Sequence, residues 1–70
     1  MRITYDPQYD LLYLKISEAK KVICKEVDED ITFDIDAESK LVGIEIISAS
    51  KHIDLSRLLP IEIKKEALKL

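Results

Sequence analysis

The sequence predicts a small α+β domain: an antiparallel β-meander of four or five strands followed by a short C-terminal helix. Three observations carry this. Segments with apolar residues at every second position recur along the first two thirds of the chain, which is the period of a half-buried strand. Two pairs of these segments flank short loops rich in turn formers and bring their apolar residues into register as hairpins. Near Ser48–Asp54 the alternation stops and text with helical spacing begins.

The first strand runs Arg2–Asp6, with Ile3 and Tyr5 on one face and Arg2, Thr4 and Asp6 on the other. Asp6-Pro7-Gln8-Tyr9-Asp10 follows. Asp favours the first position of a type I turn, and Pro presets φ at the second. Leu11–Ser17 alternates again, with Leu12, Leu14 and Ile16 on one face and Tyr13 and Lys15 on the other. Folding back over Pro7–Asp10 sets Ile3 opposite Leu14 and Tyr5 opposite Leu12. The second hairpin joins Ile31, Phe33 and Ile35 to Val42, Ile44 and Ile46 over Ala37–Lys40, pairing Ile35 with Val42, Phe33 with Ile44 and Ile31 with Ile46. Between the hairpins Lys21–Val27 is rich in β-branched residues. The reading preferred here turns Val22 and Cys24 inward, with Ile23 and Val27 as the alternative. Asp28-Glu29-Asp30 turns the chain.

The last third reads as helix. Asp54 suits the cap of a turn through Leu55–Leu59, and Pro60 the first turn of a helix. Ile63, Ala67 and Leu70 then fall on one helical face, with a short strand through Ile61 and Ile63 as the alternative. The expected organisation is one domain over residues 1–70, with the sheet in 1–48 and the helical segment in 49–70.

Composition excludes several classes. Seventy residues are too few for a dinucleotide-binding or barrel enzyme. One cysteine and one histidine leave no internal disulfide and argue against a zinc or other metal site, so neither metal nor cofactor is expected. Eleven basic against 14 acidic residues, net −3, give no basic stripe for phosphates, so nucleic-acid binding is disfavoured. No apolar run approaches membrane-spanning length and no signal peptide opens the chain. A reduced, cytoplasmic protein is the expectation. A domain this small buries little core. Association is the remaining way to stabilise it, so a homodimer or higher homo-oligomer is expected.

The run Tyr5-Asp6-Pro7-x-x-Asp10-x-Leu12-Tyr13, with Val42-Gly43-Ile44-Glu45-Ile46-x-x-Ala49-Ser50 downstream, resembles a family of short prokaryotic proteins catalogued as domain of unknown function 2283. The resemblance spans roughly residues 1–53 and implies a small β-rich prokaryotic protein without implying an activity. Some members resemble partners in toxin–antitoxin-type gene pairs. Outside it, Pro60-x-Glu62-Ile63-Lys64 resembles a stretch of swapped-hairpin antitoxin-like DNA binders, a match that chance supplies easily.

Other constellations weigh less. Asp34-x-Asp36-x-Glu38 with Glu45 has the spacing of a calcium loop, but Ser39 stands where that loop needs glycine and the flanks read as strands. Ser50, His52, Asp54 and Ser56 are residue types of a hydrolase triad, clustered locally without a nucleophile elbow. His52 reads as a surface or contact histidine, and Cys24 as a small buried hydrophobe. The candidate binding or interface residues are Asp10, Tyr13, Gly43 and Glu45. The last three lie on the sheet's second face, which Leu11, Leu41 and Ile47 make partly apolar. With no nucleophile–base set, no catalytic residue is assigned. The expected function is a non-enzymatic interaction or regulatory module, an antitoxin-like partner protein being one form. The alternative is a small-molecule or metal-binding domain, or minor enzyme, using Asp10, Tyr13 and Glu45.

Overall fold

The structure, a computed structural model, describes residues 1–58. Five strands form one antiparallel sheet: β1 (Arg2–Asp6), β2 (Leu11–Lys15), β3 (Ile23–Glu26), β4 (Ile31–Ile35) and β5 (Leu41–Ile46). One turn of α-helix, α1 (Ala49–His52), and a 3-10 turn (Leu55–Arg57) follow. The α+β class, the antiparallel sheet and the short helix near its C-terminal end are as the sequence predicts. The helix or strand expected over Ile61–Leu70 lies outside the described residues.

The strand order differs from that of a simple meander. It is β1-β2-β5-β4-β3, so β5 inserts beside β2 and the chain from Ile16 to Val22 carries β3 to the far edge. Strands β2 to β5 thus form a Greek key. Apolar matching explains the insertion. Pairing β2 with β5 sets Leu12 against Ile46 and Leu14 against Ile44, joining the apolar faces of both hairpins into one. The short β3, all of whose residues are exposed, would bring far less to that central position.

Both hairpin registers are found, with one local correction. Ile3 opposes Leu14 and Tyr5 opposes Leu12; Phe33 opposes Ile44 and Ile31 opposes Ile46. Ile35, however, pairs with Leu41, because a bulge leaves Val42 as an extra residue. The Val42 carbonyl accepts from both Ile16 and Ser17 N–H. Opposed residues share a face, so Leu41 joins Ile35 on the first face and not the second.

In β3, Ile23 pairs with Ile35 and Cys24 with Asp34. This places Ile23 on the first face and Cys24 on the second, opposite to the preferred reading. Cys24 is exposed, not a buried hydrophobe.

The core is built on the first face. Leu12, Ile46 and Ala49 are buried together, with Ile3, Leu14, Ile31, Ile44, Ile53, Leu55 and Leu58 packed around them. The turn after β5 therefore covers the β2–β5 seam. Asp54 caps the 3-10 turn as expected, accepting from Ser56 N–H at 3.2 Å and Ser56 Oγ at 2.6 Å.

Candidate functional site

The β1–β2 loop is built by its two aspartates, which divide the work. Asp6 accepts from the Gln8 N–H at 2.9 Å, a local turn bond of the kind its position before Pro7 predicts. Asp10 does something the loop alone does not reveal. It adopts φ 51°, a left-handed conformation that Asp tolerates better than most residues. Its carbonyl accepts the Ala49 N–H at 2.9 Å. Its carboxylate accepts Ser50 N–H at 3.1 Å, Ser50 Oγ at 2.6 Å and Tyr5 Oη at 2.8 Å. Ser48, at the N-cap of α1, has φ 54° and makes no side-chain cap bond. Asp10 thus caps α1 from 40 residues away, satisfying N–H groups that have no partner within the helix. The Ser50 hydroxyl and then Tyr5 hold the Asp10 carboxyl below its ordinary range. The same bond raises Tyr5.

The second-face candidates form another network. Tyr13 opposes Glu45, and Gly43 lies opposite both Lys15 on β2 and Asp34 on β4. The Tyr13 side chain crosses β5 over Gly43 and donates its hydroxyl to Asp34 Oδ2 at 2.9 Å. A Cβ at Gly43 would collide with Tyr13 Oη and stand 2.8 Å from Cζ and 3.1 Å from the Leu14 carbonyl. Gly43 is therefore required so that β2 can reach β4 across β5. The side chain that packs over it belongs to this chain, where a second subunit was one expectation. The other Asp34 oxygen accepts from Cys24 Sγ at 3.2 Å. The Asp34 carboxylate raises both the Tyr13 hydroxyl and the Cys24 thiol above their ordinary values, with Glu45 adding to each.

The weaker constellations resolve into structural pairs. Asp34 is engaged by Tyr13 and Cys24, and Asp36 accepts from Glu38 and Lys40 N–H at 2.8 and 2.9 Å. The calcium-like spacing is thus divided between a strand face and a turn. Among the described residues no three metal-ligating side chains are grouped to hold an ion. Ser50 is bonded to Asp10, and Asp54 to Ser56. His52 Nε2 lies 2.9 Å from Asp30 Oδ2, tying α1 to the β3–β4 turn. No Ser–His–Asp relay connects them. Surface hollows lined by Ser50–Ser56, by Met1, Arg2 and Lys15–Glu18, and by Glu18–Lys21 with Asp36–Glu38 include none of Asp10, Tyr13, Gly43 and Glu45. Residue-by-residue reading missed Tyr5 and Ser50 as partners of Asp10, and Asp34, which also holds Cys24, as the partner of Tyr13. The Tyr5 and Ser50 ends of the motif were visible; nothing local pointed to Asp34.

Fold and networks together define a small antiparallel sheet protein whose marked residues brace distant parts of the chain. It belongs to the family of proteins of unknown function DUF2283, whose model matches residues 2–50. The two networks coincide with the motif: Tyr5, Asp10 and Ser50 in one, Tyr13 and Gly43 in the other. No curated protein and no solved structure matches the chain. No helix among the described residues is long and apolar enough to cross a membrane.

Proposed function

We propose that this chain is a non-enzymatic interaction or regulatory module that self-associates and serves as an antitoxin-like partner of another small protein in a prokaryotic cytoplasm. One observation carries the reading. Tyr5, Asp10 and Ser50 are engaged by one another, as are Tyr13, Asp34 and Cys24, while Val22, Ile23, Val27, Ile16 and Ile47 stand exposed. Asp10 is engaged at the cap of α1, Tyr13 with Asp34, so Asp10 and Tyr13 are held in separate networks instead of converging on one ligand. Val22, Ile23 and Val27 are carried by the one edge segment that holds β3, and exposed apolar side chains grouped together are the usual mark of a contact surface. Sedimentation equilibrium at micromolar concentration tests the self-association. The expected result is a species of at least twice the 8.1 kDa chain mass; a single 8.1 kDa species overturns it.

A further inference from the structure

Of the two edge strands, β3 is the one whose residues are all exposed, and it is flanked by the exposed apolar side chains Val22 and Val27. Its backbone phase follows from the Val27 N–H to Ile31 carbonyl bond at 2.9 Å. In an antiparallel ladder alternate residues turn both N–H and C=O to the same neighbour. Ile23 and Lys25 therefore bond to β4, and Cys24 and Glu26 direct theirs out of the sheet, where no strand among the described residues meets them. The segment is also polarised: Lys20 and Lys21 precede it, and Glu26, Asp28 and Glu29 close it. Such a strand is complementary to itself only when antiparallel, its basic end then lying beside the acidic end of the other copy.

We infer that β3 is the self-association surface, pairing antiparallel with β3 of a second copy about a two-fold axis through Cys24 and continuing the sheet across both chains. This rests on the self-association proposed above and adds its location and register. A two-fold perpendicular to the sheet keeps each face continuous with its counterpart, so opposed residues must both be even or both odd. Three central registers satisfy this. Centring on Ile23 sets Lys21 against Lys25, and centring on Lys25 sets that lysine against its own copy; like charges directly opposite are destabilising. Centring on Cys24 opposes no like charges between Lys20 and Asp28. It sets Val22 against Glu26, Ile23 against Lys25 and Lys20 beside Asp28. The two Cys24 Cα atoms then stand about 5.5 Å apart, within the range a disulfide spans.

Cys24 is the chain's one cysteine, so it reports the register directly. With diamide as oxidant, the native chain is expected to form a Cys24–Cys24 dimer. In a Cys24→Ser background, Val22→Cys or Glu26→Cys alone places the two thiols about 14 Å apart at 3.4 Å per residue. Each alone should cross-link at least tenfold more slowly than Cys24, and an equimolar mixture of the two should recover the rate as a mixed dimer. Glu26→Pro removes an outward N–H while sparing the bonds to β4, a position where an edge strand tolerates proline. It should convert the sedimenting dimer to monomer with an unchanged circular dichroism spectrum. Equal cross-linking rates at positions 22, 24 and 26 would overturn the register. A dimer by sedimentation that survives Glu26→Pro would place the interface elsewhere and leave self-association standing. A monomeric native chain would overturn both.

Discussion

Gly43 is the residue on which most geometry turns. Its missing side chain is not used for backbone freedom: the positive-φ residues described are Asp10, Ser39 and Ser48, none of them glycine. It is used for space, letting Tyr13 lie across β5 to Asp34. Gly43→Val should therefore destabilise by about 1–3 kcal/mol, the usual cost of forcing bulk into a packed position. Tyr13→Ala in the Gly43→Val background should recover part of that loss, because the ring that collides is gone. Urea midpoints of the two single variants and the double variant measure this coupling; strict additivity would refute the contact. The same Asp34 carboxylate controls Cys24. Its thiol should ionise above the ordinary cysteine range, and Asp34→Asn should bring the midpoint down, as read by thiolate absorbance against pH.

At the scale of elements, the β1–β2 loop and α1 act as one unit. Ser50→Ala removes the hydroxyl bond to Asp10 and should cost about 0.5–1.5 kcal/mol. The pH dependence has a definite sign. Asp10 ionises more readily folded than unfolded, so the native state binds fewer protons than the unfolded state in this range. Its contribution is present above the unfolded carboxylate value and is lost as pH falls through the lower folded value. Asp10→Ala should lower thermal stability at neutral pH and flatten the stability profile below about pH 4, the ordinary carboxylate range. Thermal unfolding followed between pH 2 and pH 7, as a rough span bracketing that range, compares the variant with the native chain. An unchanged acid limb would show that the cap does not titrate with Asp10.

For the whole molecule, the core is concentrated at the β2–β5 seam. Leu12 is fully buried, while Ile44 is only partly so. Leu12→Ala should cost about 3–5 kcal/mol and Ile44→Ala less, because the cost follows the packing lost. Small domains have total stabilities of about 5 kcal/mol, so Leu12→Ala should leave a largely unfolded chain. Circular dichroism and the urea midpoint of each variant give the order.

Much of this architecture was present in the sequence by itself, and the reason is locality. Alternation of Ile3, Tyr5, Leu12 and Leu14, and of Ile31, Phe33, Ile44 and Ile46, determines both strand faces and hairpin partners, since a slip of one residue would expose every apolar side chain. Asp54 before its turn is equally local. Tertiary structure decided what depends on contacts between segments far apart in the chain. Insertion of β5 beside β2 depends on which apolar edges match best in space. The bulge at Val42 moved Leu41 to the other face, an offset that strict alternation cannot encode. Asp10 became the cap of α1, and Tyr13 the bridge to Asp34, only when loops and strands distant in sequence came within hydrogen-bonding reach. The motif residues were legible as marked positions; their roles are relations between segments, and only the folded chain contains those relations.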